Sequence, residues 1–279
     1  MTNMVTTPAR TDTGKERKIR AVRPRDDRPD DRRVRIALGT LAVIVAFGIW
    51  ELLTILKVQP RILLPNASDV VNAFKQIFTS PTVGADFAAS GKELVYGYVL
   101  AVVVGVIAGL LIGWYRPIGY VLDPFVNFAY SVPRVAVSPL LLVWLGIGIV
   151  SKIALVFLVA VFPVLINTIS GIRNLDRQLL RTARCFDASD LQIFRTVALP
   201  GSIPFILSGM RLAVGSALIG VFVAELVGAQ NGIGQLIVDA GNQFQTAKVF
   251  AGLIIFAVTG VILSAALRRA ERHFESWRL

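Results

Sequence analysis

The chain is short of nearly everything that solution chemistry requires. Among 279 residues there is one cysteine, Cys185, and one histidine, His273. A single thiol excludes an internal disulfide and a cysteine-based metal site. One histidine beside the C-terminus cannot assemble a zinc, haem or Ser-His-Asp centre, so neither a metal site nor catalytic residues are expected. No GxxxxGK[ST] phosphate loop occurs, and with it goes the usual nucleotide cradle. Charged residues are only 17% of the chain, and 18 acids face 29 lysines and arginines, a net charge of +11.

What the chain has is hydrocarbon. It is 54% hydrophobic with a mean hydropathy of +0.66, which places it in the membrane class and makes the lipid bilayer its first partner. The excess positive charge does not argue for nucleic acid, because eleven of the 29 basic residues precede residue 36 and most others flank apolar runs. Basic residues at membrane edges are orientation signals. Residues 1–35 are polar and rich in Arg, Asp, Pro and Thr, and are expected to form a disordered basic cytoplasmic tail. Residues 36–279 are expected to form one transmembrane domain. No small-residue cleavage site follows the first apolar run, so it reads as a retained anchor.

Six segments reach the roughly 20 apolar residues that cross a bilayer core: 36–56, 94–114, 122–145, 149–169, 203–227 and 249–267. The third begins at Asp123-Pro124, read as an N-cap acid followed by a first-turn proline, and is expected to kink at Pro133 and Pro139. With the N-terminus inside, inner segments carry 21 basic residues and outer segments six, namely Lys57, Arg61, Lys75, Lys92, Lys152 and Lys248. That bias puts both termini, and the stretch 173–204, in the cytoplasm of a multi-pass cell-membrane protein.

Three polar interruptions stand out. The outer loop after span one holds LLPNASDVVNAFKQIF, where Asn66 or Ser68 caps an amphipathic helix with Val70, Val71, Phe74, Ile77 and Phe78 on one side. A helix lying on the membrane surface is the simplest expectation for it. The loop before span six holds NGIGQLI (231–237), whose glycines point to a tight turn into a short helix; without a preceding strand they make no nucleotide site. The longest interruption, 173–204, carries Arg173, Arg177, Arg181, Arg184 and Arg195. A first short helix starts at the N-cap Asp176 and aligns Leu175, Leu179, Ala183 and Phe186 in a stripe. A second starts at Ser189, with Gln192 completing a capping box, presents Leu191, Phe194 and Val197, and is expected to stop at Pro200, with Pro204 opening the next span. Such an elbow either folds back on its own bundle or docks a partner, and spacing leaves both open.

Within the spans, Arg134 and Arg211 are the cations, with Glu225 near the outer end of span five and Glu51 in span one. Intramembrane charge is costly and marks function by default. Arg134 on a pathway would suit an anionic solute; paired with Glu225 or a carbonyl it would lock helices instead. The series Gly105, Gly109, Gly113 allows close helix approach, for packing or for a dimer face.

Several of these pieces together carry a resemblance. LLRTARCFDASDLQIFRTVALPGSIPFILSGMRLAVG resembles the signature of importer-type ABC transporter permeases, EAA, three residues, Gly, nine residues, Ile-x-Leu-Pro, with Ala183, Val197, Leu199 and Pro200 matching. LLPNASDVV (63–71), DPFVNFAYSVPRVAVSPLLLVWLGIGIVSKI (123–153), FPVLINTISGIRNLD (162–176) and VAELVGAQNGIGQLI (223–237) resemble the nitrate/sulfonate/taurine branch, over about residues 50–279. The resemblance implies an all-α membrane protein with six transmembrane helices and a two-helix cytoplasmic coupling elbow between spans four and five. It also implies two copies of a separate cytoplasmic ATPase that bind the ATP and Mg, a second permease chain forming a homodimer, and an extracytoplasmic solute-binding protein. On it, Cys185, Phe186, Asp187, Ala188, Leu191 and Phe194 contact the ATPase, with Arg184 at the rim. Arg181 and Thr182 replace the family's Glu and Ala, and Asp187 its turn glycine, so docking would require a matched ATPase. A vitamin-precursor pyrimidine is an alternative cargo. A secondary carrier or channel is the other reading, against which stand the position of the acids at span ends and the lack of evident inverted repeats.

Overall fold

The computed structural model describes residues 29–58, 60, 62–227 and 231–275. Among them every regular element is helical, as expected from the apolar runs. The chain separates into two compact units, residues 1–52 and 53–279. The first holds most of α1 (Pro29–Ile55), whose apolar stretch Ala37–Ile55 is long enough to cross a bilayer. The helix begins at Pro29, before the apolar run, so residues 29–35 are helical where a disordered tail was expected. Pro-Asp-Asp is the composition of a helix start. Residues 1–28 of the expected tail lie outside the described residues.

The second unit is built around α6 (Ile149–Arg173), the most enclosed helix of the chain, with Val156, Ala160, Val164 and Thr168 fully buried. Helix α3 (Val83–Trp114) runs parallel to it in a constant register. Glu93 pairs with Lys152, 59 positions on. At the same offset the missing side chains of Gly97, Gly105, Gly109 and Gly113 face Val156, Val164, Thr168 and Ile172. A Cβ built at these glycines would lie 2.6–2.9 Å from those side chains, so the two backbones approach as closely as glycine permits. The glycine series therefore serves packing within one chain. On the other side α9 (Leu199–Leu226) runs antiparallel, Gly171 facing Phe205, Gly209 facing Asn167 and Gly220 facing Val156. Tyr98 of α3 donates to the Met210 carbonyl of α9 at 2.9 Å and closes the triangle.

Helix α11 (Thr246–Glu275) returns along α9, with Phe222 edge-on to Phe256 at 6.1 Å and Arg211 paired to Glu271 at 3.0 Å. Helix α2 (Ala67–Thr79) buries Val70, Ala73 and Ile77 but leaves Val71 and Phe78 exposed. It thus packs on its own bundle, stacking Phe78 on Phe87 of α3, where a helix lying on the membrane surface was expected. Its burial face is one residue off the expected stripe, because Ala73 is small enough to lie at the contact.

The third expected span is a broken one. Helix α4 starts at Arg116 with Pro117 in its first turn, and it carries Pro124 in its interior (Arg116–Ser131). Asp123 is therefore not an N-cap; it accepts from Arg173 at 2.9 Å. After Val132 and Pro133 a short 3-10 turn (Arg134–Val137) leads into α5 (Ser138–Leu145), bent 85° from α4. Proline removes the donor that would continue the helix and restricts the residue before it, so the break falls at Val132-Pro133. Five helices are continuous and apolar enough to cross a membrane, and the bent pair makes a sixth, which is the expected six-span count.

Overpacking the seam is the direct check on this architecture. Gly109→Leu forces a side chain onto Thr168 and the Leu165 carbonyl and should destabilise the bundle by about 1–3 kcal/mol. Gly91→Ala, with no neighbour within 4 Å, should leave thermal unfolding in detergent unchanged.

Candidate functional site

The elbow forms much as its capping residues dictate. Helix α7 (Arg177–Cys185) is opened by Asp176, which accepts from the Gln178 backbone N–H at 2.7 Å. It closes in a Schellman turn, in which Asp187 N–H donates to the Arg184 carbonyl and Ala188 N–H to the Ala183 carbonyl. Asp187 sits at φ 53°, the left-handed conformation in which a glycine would be unstrained. Ser189 then caps α8 (Asp190–Ile193), with the Gln192 side chain accepting from Ser189 N–H at 2.8 Å and Ser189 Oγ from Gln192 N–H at 3.3 Å.

Beyond α8 the expected stop at Pro200 does not occur. Residues Phe194–Ala198 form a π turn, Leu199 N–H reaching the Phe194 carbonyl, and the helix runs straight into α9. The wider turn absorbs the donor that Pro200 lacks, so Asp190–Leu226 is one continuous rod and Pro204 lies inside it. Side chains of the elbow divide between two directions. Ile193 and Ala198 are buried, Ala183, Ala188 and Val197 half-buried, and Phe194 packs edge-on against Trp114 at 5.4 Å. Phe186 is 81% exposed and Leu179 and Leu191 57% each, with Arg184, Cys185 and Asp187 also exposed. Phe194, expected at the partner surface, instead anchors the elbow to the end of α3.

The opposite end of the bundle holds a polar network that sequence reasoning missed. Gly232, at φ 144°, leads into α10 (Ile233–Asn242). The first backbone N–H groups of this helix are taken by three buried side chains of α3 and α9. Gly232 N–H donates to Asp86 at 3.0 Å, Ile233 N–H to Ser90 Oγ at 2.9 Å, and Gly234 N–H to Glu225 at 2.5 Å. Ser90 in turn donates to Glu225 at 2.5 Å. Carboxylates against a helix N-terminus satisfy both its free donors and its dipole. Glycine is required at 232 and 234 because a Cβ there would collide with the Glu225 carboxylate. Next to this network Lys152 donates to Glu93 at 2.8 Å, both buried. The signal was present: Asp86, Ser90 and Glu93 lie at helical spacing upstream of the apolar run, but they resemble loop residues until α10 is folded over them. Lys152, counted as an outer-loop cation, belongs to the core. Beside α10 a polar cleft of about 290 Å³ opens between Gln76, Ser80, Gln235, Asp239, Gln245 and Lys248.

Of the intramembrane charges singled out from sequence, Arg134, Arg211 and Glu225 are not brought together. Glu225 caps α10, Arg211 pairs with Glu271, and Arg134 pairs with neither. The expected lock between Arg134 and Glu225 is absent because the 85° bend carries Arg134 onto the side of α6, where its guanidinium lies 4.9 Å from the Tyr130 ring centre and 5.3 Å from that of Phe162. Among the described residues no group of His, Cys, Asp and Glu could hold a metal ion.

Up to six membrane-length segments, one of them bent by 85°, with an exposed two-helix elbow continuous with one of them, have the form of a membrane transport subunit. Residues 101–276 match the family described as binding-protein-dependent transport system inner membrane component. Over 90% of its length the chain is 38% identical to a putative aliphatic sulfonates transport permease protein of Bacillus subtilis, covering 91% of that protein. Over 89% of its length it is 31% identical to the taurine transport system permease protein of Escherichia coli, covering 92% of it. Among solved structures, an inward-facing MetNI methionine ABC transporter aligns with a TM-score of 0.59 at 18% identity, covering 70% of this chain and 99% of that one. The chain belongs to the family of binding-protein-dependent transport system inner membrane components. That family sets it in the inner membrane as a multi-pass transport subunit and implies an ATPase partner and a binding protein.

The buried pair separates packing from charge. Lys152→Met should cost about 3–5 kcal/mol by stranding the Glu93 carboxylate, and the double variant Glu93→Met/Lys152→Met should recover most of the loss, as read by thermal unfolding of the purified protein.

Proposed function

We propose that this chain is the permease subunit of an ATP-driven importer for small anionic solutes of the sulfonate or taurine kind, coupled to its ATPase through residues 173–204. The observation that carries the reading is the elbow's division of labour. Phe186 and Leu191 stand exposed beside Arg184 and Cys185, while Ile193, Phe194 and Ala198 tie the same element to the bundle and on into α9. Apolar side chains held in water at the end of a rigid rod serve a partner, and the family supplies an ATPase as that partner. The similarity to sulfonate and taurine permeases supports the solute class.

In this reading two permease copies meet as a homodimer and two ATPase copies bind the ATP and Mg, each receiving one elbow. This chain binds no cofactor of its own. Arg184, Cys185, Phe186, Asp187, Ala188 and Leu191 form the contact, with Phe194 acting from behind as the anchor. Both termini and the elbow face the cytoplasm, as the excess of basic residues at that end favours. The solute-binding protein then meets the opposite end, where α2, α10 and the start of α11 surround the polar cleft.

Two measurements test this. Leu191→Asp and Phe186→Asp should each lower ATPase co-purification and uptake about tenfold or more while membrane insertion is retained, since a buried carboxylate in an apolar contact is costly; uptake at the normal rate by both would sink the docking assignment. Cys185, the chain's one thiol, should resist a membrane-impermeant maleimide in intact cells and react in inverted vesicles once the ATPase is stripped. Labelling from outside would reverse the orientation.

A further inference from the structure

We propose that Arg134 is the anion-selecting residue of the translocation path, presenting its guanidinium N–H edge to the sulfonate-type headgroup at mid-depth in the membrane. The proposal rests on the importer reading above and names the chemistry of one point on its path.

Three observations converge on this residue. The first is depth. Arg134 packs on Phe162, 13 residues from the start of α6 and 11 from its end, which is about 20 Å and about 16 Å along the axis. It therefore sits near the middle of a membrane-crossing helix, where an unpaired cation is most costly. The second is its lack of a polar partner. Lys152, Arg173 and Arg211 each hold a carboxylate, but among the described residues Arg134 makes no ion pair and no hydrogen bond. Two aromatic rings, Tyr130 and Phe162, supply its specific contacts among the described residues. Rings stabilise a guanidinium without using its N–H groups, which here donate to no described residue. The third is the backbone beneath it. The chain is broken between Ser131 and Arg134, with Pro133 exposed and Arg134 itself half-exposed. Broken backbone at membrane depth persists only where it is buried in protein or lines a water-filled path. Among the described residues, Ser131 and Pro133 at the break are left exposed.

An arginine held beside two rings, with no hydrogen bond of its own among the described residues, is matched to a ligand with two or three oxygens in one plane of approach. A sulfonate accepts two parallel N–H bonds from a guanidinium. The same arrangement suits passage rather than storage, because the ring contacts remain when the anion leaves and a site on a conduction path must release what it binds. Tyr130 and Phe162 hold Arg134 in place, and the bend at Pro133 turns it off the axis of α4 onto the side of α6. Glu225, the acid considered from the sequence as a lock for Arg134, is engaged with Ser90 and Gly234 and leaves Arg134 available.

The test uses the permease–ATPase complex in proteoliposomes with the solute-binding protein that stimulates it, and reads labelled ethanesulfonate moved per ATP hydrolysed. Arg134→Gln should keep binding-protein-stimulated ATPase activity within about twofold while transport per ATP falls about tenfold or more, with Arg134→Lys in between. An unchanged ratio overturns the assignment. So does a parallel fall of ATPase activity and transport, which would mean that Arg134 only packs α4 on α6. If Arg134→Gln fails to assemble with the ATPase, Arg134→Lys decides: it keeps the charge but loses the planar fork, so a drop of about threefold or more in transport per ATP supports the assignment and an unchanged ratio overturns it. A wild-type complex that moves no sulfonate overturns the importer reading and this assignment with it, whereas wild-type transport with unaltered variants overturns this assignment alone.

Discussion

Everything else in the bundle depends on the closeness of α3 to α6. Within a bilayer there is little hydrophobic gain in bringing two apolar helices together, so association rests on dispersion contacts and on hydrogen bonds between helices. The glycines at 97, 105, 109 and 113, each opposite a branched side chain 59 positions later, let those contacts run along most of α6. Glu93 and Lys152 continue the same register at one end. Register and polar pairing are therefore one constraint: a slip of one residue would bury glycine against glycine's neighbours and strand both charges together.

That seam also explains why so many polar groups can sit inside an apolar bundle. Asp86, Ser90 and Glu225 are buried, but each is spent on a backbone N–H of α10 that would otherwise be orphaned. The far end of the bundle is thus closed by a short helix whose own N-terminus is its fastening. Gly232 and Gly234 make room for the carboxylate that does so. Arg134 is the contrast: a charge at mid-depth whose neighbours are rings.

The elbow shows how a local irregularity can carry a mechanical connection. A proline at position 200 would ordinarily end a helix, and a hinge there would let the elbow move without moving a span. The π turn at Phe194–Ala198 removes that hinge by shifting the hydrogen-bond register ahead of the proline. Displacement at Ser189 is therefore displacement of α9, with Phe194 against Trp114 linking α3 to the same end.

Local chemistry alone determined a good deal of this protein. Apolar length set the six membrane segments, the capping residues Asp176, Ser189 and Gln192 set the two elbow helices, and the turn between them required a residue able to take positive φ, which Asp187 does at 53°. These features are readable because they depend on residues within a few positions of one another. What only the tertiary structure decided is which polar residues are core. Asp86, Ser90, Glu93 and Lys152 look like loop residues from their neighbours, and Phe194 looks like an exposed one, because their partners lie 59 to 146 positions away or on a helix end that sequence periodicity does not register. The break at Val132-Pro133 was visible as proline, but its 85° angle was not, and that angle separates Arg134 from Glu225. Long-range pairing in a membrane bundle is chosen by shape and by the demand that every buried donor find an acceptor, and neither is written in any short stretch of the chain.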